Sequence, residues 1–225
     1  MANEKKATRA RAPEKKAEQF EKILKDGREM FVKFGSHGFS MRALARKLGM
    51  TQPNLYNYVK SKRELWIAIR QQYFEDLNAG MKKLINEHEG DYLDLFMKIG
   101  EFFLDFAVAD YKRYQMMFLI SAPRSKKVGP LERDYEMFGT MKMMFDVVRK
   151  AQKELKIQNN RTPNLLYYIF SSIFGAAWTI SNLKLRAKIT EPISGGFYDL
   201  SSKEMRDFVL NEIRDRLNRI LSGKG

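Results

Sequence analysis

The sequence predicts an all-α protein, with an N-terminal three-helix helix-turn-helix domain followed by a larger helical domain. Three observations carry this. Apolar residues recur at steps of three and four from Phe20 to Leu221, and no alternating strand pattern competes with them. Residues 40–62, SMRALARKLGMTQPNLYNYVKSK, divide into a short helix, a tight turn and a second short helix. Two capping boxes, Ser61 to Glu64 and Ser201 to Glu204, mark the starts of later helices.

Taken in order, residues 1–12 are basic, small and without periodicity, which predicts a disordered tail. Arg9 and Arg11 could serve there as an arm touching phosphate. A first helix is expected over 13–34, with Phe20, Ile23, Leu24, Met30, Phe31 and Phe34 forming one apolar stripe that covers the hairpin. The run 35–38, GSHG, breaks it, and Ser40 caps the next helix. Leu44, Ala45 and Leu48 share a face of that helix, and Gly49 suits the positive φ at its exit. Thr51 caps the following helix, where Pro53 is tolerated in a first turn that lacks intrahelical donors.

Leu55 and Val59 pack this second helix inward, leaving Gln52, Asn54, Asn57 and Tyr58 outward with Tyr56 beside them. Amides can donate and accept at base edges, and Arg42, Lys60 and Lys62 can pair with phosphates. An ordinary helical hairpin with a solvated face is the plainer alternative. Charge placement favours the nucleic-acid reading. Residues 1–63 carry 16 Lys and Arg against 6 Asp and Glu, net +10, whereas the remaining residues are net +4. A basic surface attracts nucleic acid by releasing counterions.

The segment LARKLGMTQPNLYNYVKSKRELW resembles the helix-turn-helix signature of the TetR-like transcriptional regulators, a match running from about Phe31 to Trp66. The resemblance implies a domain boundary near residue 63, with 13–63 binding DNA and 64–225 a helical ligand-binding and dimerisation domain. By position it implies that Ser40 and Arg42 contact backbone and base. It also implies that Thr51, Gln52, Pro53, Asn54, Tyr56, Asn57 and Tyr58 lie on the recognition helix, and that Lys62 holds a phosphate. Gln52 and Arg42 are expected on base edges, and Thr51, Tyr56, Tyr58 and Lys62 on the backbone.

Past the hairpin, the first capping box opens a long helix ending near Gly90, with Gly80 a candidate kink. Helices are expected over 91–108, a shorter one over 111–120, then over 131–156, 162–187 and after Ser201. The helix from 162 is apolar nearly all round. Its small-residue strip, with Ser172, Gly175, Ala176 and Thr179, together with Phe208, Ile213 and Leu217 of the last helix, is the candidate homodimer interface. One short hairpin reads few bases, so a palindromic operator read by a two-fold pair is expected.

Phe102, Phe106, Met116, Met117, Met137, Met141, Met144, Phe145, Phe170 and Phe174 read either as ordinary core or as the lining of an adaptable apolar cavity. The family resemblance implies an effector there. Lys112, Arg113, Arg124, Lys126 and Lys127 lie near the Met-rich region in sequence, so an amphipathic effector such as a fatty acyl-CoA would fit. No cofactor or metal is expected, and a soluble cytoplasmic location is. Zero cysteine excludes disulfides and thiol catalysis, and no Walker, GxSxG or HExxH motif points to an enzyme. A non-specific architectural DNA-binding protein is the rival from another class.

Overall fold

The computed structural model describes residues 2–133, 139–154, 162–186 and 201–221. Every regular element among them is helical. The first is α1 (Ala2–Gly38), then α2 (Met41–Lys47), α3 (Gln52–Leu55), α4 (Lys62–Glu87) and α5 (Tyr92–Ala109). A short α6 (Tyr111–Tyr114) runs into a π-helical turn, Gln115–Leu119. The chain continues through α7 (Pro130–Arg133), α8 (Gly139–Glu154), α9 (Thr162–Arg186) and α10 (Ser202–Leu221).

Two compact units result. One is Met1–Glu75 with Lys112–Glu136, the other Asp76–Tyr111 with Met137–Gly225. The division therefore falls inside α4 rather than at residue 63, because its first half packs with the hairpin. The expected tail also differs. Helix α1 begins at Ala2, in keeping with the Ala, Lys, Arg and Glu content of the segment, and carries Pro13 within it.

In the first unit, Ile23, Phe31, Leu44, Leu55, Leu65 and Ile67 are all but sealed from solvent. The rings of Phe31 and Phe39 stack at 4.0 Å. Gly35, at φ 64 and ψ 180, interrupts α1 where the GSHG run predicted a break. Phe34 leaves the expected stripe: it is 49% exposed, with the Lys33 ammonium over its ring. Lys47 at the end of α2 reaches α1 through Asp26 (2.8 Å) and Glu29 (2.7 Å). Those two carboxylates push its pKa up, and its ammonium in turn holds the Glu29 carboxyl below the ordinary range. Farther along α4, Arg70 stacks on Trp66 at 4.3 Å and donates to the Met117 carbonyl at 2.5 Å.

In the second unit, α5 packs on α8, α9 and α10, and α9 packs on α10. Leu95, Ile99 and Leu104 of α5, Ile173, Ala177 and Ile180 of α9, and Ile213 of α10 fill the space between. Arg206 forks onto Asp105 at 2.8 and 2.9 Å, fixing α10 to α5 with a two-pronged pair. The capping box at the start of α10 is complete: Ser201 Oγ accepts from Glu204 N–H, and Ser201 N–H donates to the Glu204 carboxylate. The Phe102 ring lies against Gly80, where a Cβ would come 2.2 Å from it. Gly80 thus admits a ring against the helix. No helix among the described residues is long and apolar enough to cross a membrane.

Candidate nucleic-acid interface

The hairpin is held by its caps. Ser40 Oγ accepts from Ala43 N–H at 3.3 Å, and Thr51 Oγ1 from Asn54 N–H at 3.3 Å. Gly49 turns the chain at φ 65. Each capping hydroxyl spends an acceptor position on the helix and keeps its O–H to donate, so both remain able to bind a phosphate oxygen. Leu44, Ala45, Leu55 and Val59 are buried as the pattern predicted.

Arg42, Thr51, Pro53, Asn54 and Asn57 are exposed together on this hairpin, with Gln52, Tyr56 and Tyr58 half-buried beside them. Only Gln52–Leu55 is regular helix. Tyr56, Asn57 and Tyr58 follow as a turn that continues the spiral through Asn57 N–H to Asn54 O and Tyr58 N–H to Leu55 O. The expected recognition helix is therefore one turn of helix and one of turn. Gln52 Nε2 donates to the Tyr56 hydroxyl at 3.4 Å, which aligns the amide along the exposed face. Tyr58 stacks parallel to Phe20 of α1 at 6.5 Å, so α1 fixes the angle at which the tyrosine leaves the hairpin.

Lys62, expected on a phosphate, also has partners within the protein. Its ammonium donates to the carbonyls of Ser36 (2.6 Å) and Phe39 (3.3 Å). These are carbonyls at the exit of α1, where a cation is favoured. A third ammonium proton is left for phosphate, so the lysine positions the hairpin as well as facing outward.

Glu64 was not singled out for this region by its sequence neighbours beyond its place in a capping box. It is 1% exposed, and its N–H is capped by Ser61 Oγ at 3.0 Å. Its carboxylate accepts from Lys60 N–H rather than from Ser61, and from Leu131 N–H at 3.0 Å. A Cβ on Gly129 would come 2.0 Å from that carboxylate. Arg63 pairs with Glu132, and Ser36 Oγ donates to the Ser121 carbonyl. Residues 121–133 are thereby fastened to the hairpin and the start of α4. The result is an open cleft of about 800 Å³, lined by Met41, Tyr56, Lys60, Ser61, Lys62, Lys127 and Val128. Sequence reasoning placed Lys127 with an effector instead, because some seventy residues separate it from the hairpin and no periodicity signals so distant a contact.

Residues 23–69 match the family model described as bacterial regulatory proteins, tetR family. The hairpin region is of tetR type. The tetR-type region thus covers the end of α1, the whole hairpin and the start of α4, the elements whose geometry is given above. A transcriptional activator, FasR, from Mycolicibacterium smegmatis is 30% identical over 90 residues, 40% of this chain and 41% of its own length. The chain spans about two fifths of the curated relatives it matches. Among solved structures, FadR of Bacillus subtilis with stearoyl-CoA aligns at 12% identity and a TM-score of 0.60, over 86% of this chain and 97% of that one. AibR with isovaleryl coenzyme A and operator DNA aligns at 12% and 0.52, over 87% and 97%. At such identities the likeness is one of fold: an N-terminal helix-turn-helix domain and a helical C-terminal domain.

The other expected sites scatter. Met116 and Met117 belong to the first unit and are fully buried there, as core beside the Arg70 contact. Lys112, Arg113, Arg124, Lys126 and Lys127 belong to that unit too. Met137 lies outside the described residues, as does the side chain of Met141. Met144 is buried and Phe145 is 42% exposed. Phe102 and Phe106 are neighbours at 5.9 Å, Phe170 and Phe174 at 6.1 Å, and Phe103 joins the second pair at 5.1 Å from Phe174. Phe103, Phe170 and Phe174 thus form an aromatic cluster between α5 and α9, while Phe102 lies against Gly80 of α4. Of the dimer candidates, Ala176, Ile213 and Leu217 are buried within the unit and cannot be its outer face. Ser172 and Thr179 are half-buried, Ser172 Oγ donating to the Tyr168 carbonyl, while Gly175 and Phe208 are exposed.

Proposed function

We propose that the protein is a ligand-responsive, sequence-specific DNA-binding regulator of transcription that acts as a homodimer on a palindromic operator. The single observation that carries this is the exposed hairpin face, where Arg42, Gln52, Asn54 and Asn57 stand among capping hydroxyls and lysines on a rigid support. Amides at base edges supply discrimination, and hydroxyls and ammonium groups supply register on the backbone. The outward amides count against a purely architectural DNA-binding protein, for which phosphate contacts would suffice.

The second copy docks on the exposed face of α9. Tyr167, Ser171, Gly175 and Trp178 recur at helical spacing there, with Tyr167 74% and Trp178 52% exposed. Gly175 has open space where a Cβ would point, room for a close helix approach. Phe208 of α10, also exposed, extends the apolar surface.

The effector is largely apolar and binds at the aromatic rings of α5 and α9. Two fold neighbours hold acyl-CoA molecules, which makes a long-chain acyl-CoA the first compound to test. The basic residues once expected at its head group belong to the first unit, so the acyl chain is the part this cluster would recognise. Binding shifts the population of dimers away from the form that fits DNA, by no more than its differential affinity for the two forms. The test is fluorescence anisotropy of a duplex enriched from a random pool. Release of that duplex on titration with stearoyl-CoA, but not with coenzyme A alone, is expected. No effect of the acyl-CoA alongside release by a neutral apolar compound would remove the acyl-CoA assignment, and tightened binding would make the ligand a co-repressor.

A further inference from the structure

The loop that closes the cleft beside the hairpin has chemistry of its own. Residues 121–129, SAPRSKKVG, hold Arg124, Lys126 and Lys127 with no acidic residue between them. All three side chains are exposed. Ser125 shapes the turn: its hydroxyl donates to the Lys127 carbonyl at 2.9 Å and accepts from Lys127 N–H at 3.1 Å. The nearby carboxylates bind other groups. Glu64 accepts from Lys60 N–H and Leu131 N–H, and Glu132 pairs with Arg63. Lys127 therefore faces the cleft beside Tyr56, Lys60 and Lys62 with no acidic partner among the described residues.

We propose that the loop 124–128 is a second DNA-contacting element, laying Lys127 and its basic neighbours on the phosphate backbone next to the segment read by the hairpin. The inference rests on the DNA-binding reading above and deepens it. Three ammonium groups around one open cleft suit a run of phosphates, which a polyanion supplies and a single small ligand does not. The anchorage of the loop matters as much as its charge. Because Glu64, Arg63 and Ser36 hold residues 121–133 against the hairpin, the lysines keep a fixed register to Tyr56 and Lys60, so the ordering cost of the contact is met within the free protein. A loose basic loop would offer attraction without register.

The experiment compares wild type, K126A/K127A and K82A/K83A for binding to a random-sequence duplex across a salt series. Lys82 and Lys83 are exposed on the part of α4 in the second unit, so their removal takes away the same charge elsewhere. Each lost phosphate contact should lower the slope of log affinity against log salt by about 0.9. K126A/K127A is expected to lose about one to two units of slope and to bind several-fold more weakly, while K82A/K83A keeps the wild-type slope. Equal slopes for wild type and K126A/K127A overturn the inference and leave the hairpin reading standing. Equal losses in the two variants also overturn it, by reducing the loop to net charge. No duplex binding by the wild type would overturn the DNA reading and this inference with it.

Discussion

At the scale of single residues, the hairpin separates groups that hold the backbone from groups that can choose a base. Thr51 and Ser40 have acceptors tied to helix N–H groups, and Lys62 has donors tied to two carbonyls, so their remaining capacity suits phosphate. Gln52 is different. Its only side-chain partner among the described residues is the Tyr56 hydroxyl at 3.4 Å, a long bond that a base edge can replace. Gln52→Ala should therefore cost discrimination rather than attraction, about 1–3 kcal/mol against the preferred base pair. Competition binding of enriched and random duplexes checks it: the ratio of affinities should fall by about 5- to 150-fold. Equal losses on both duplexes would contradict the assignment. The caps were legible in the sequence because they obey rules spanning three residues. The partners of Lys62 and the neighbours of Lys127 were not, since they come from residues more than twenty positions away.

At the scale of elements, α9 shows where patterning runs out. A helix apolar nearly all round announces burial on several faces but does not rank them. Its small-residue strip drew attention to Ala176, which turns inward, and to Gly175, which does not. The exposed stripe shares Gly175 with that strip but runs on through Tyr167, Ser171 and Trp178 rather than Ala176, a choice that only packing against α5 and α10 decides. Trp178, half-exposed, can be changed without opening the core, so Trp178→Arg isolates association from folding. Sedimentation should show the 26.4 kDa chain of the variant as a monomer where the wild type is a dimer, with the helical circular dichroism unchanged. A variant that still sediments as a dimer would rule this face out. By contrast, α5 and α10 were legible almost to the residue, because Asp91 and the Ser201 box mark their starts.

At the scale of the whole molecule, charge and architecture agree. The basic excess lies in the segment that carries the hairpin, and the loop 124–128 adds to it from far along the chain. The sequence reading set a boundary at residue 63, whereas the compact unit that holds the hairpin runs to Glu75 and takes in Lys112–Glu136; a stretch of 36 residues that leaves a unit and returns to it has no signature in composition. The half of α4 beyond Glu75 and the helices α5, α8, α9 and α10 form the other unit, where dimerisation and effector binding are proposed. The central claim is that two copies read one operator. Its most direct measurement is selection of bound duplexes from a random-sequence pool by the purified protein, followed by sequencing. The account predicts an enriched inverted repeat whose half-sites are centred about one helical turn apart, ~10 base pairs, or a multiple of it. A pool that returns no motif, with binding abolished by moderate salt, would contradict it and leave a basic protein that holds DNA without reading it.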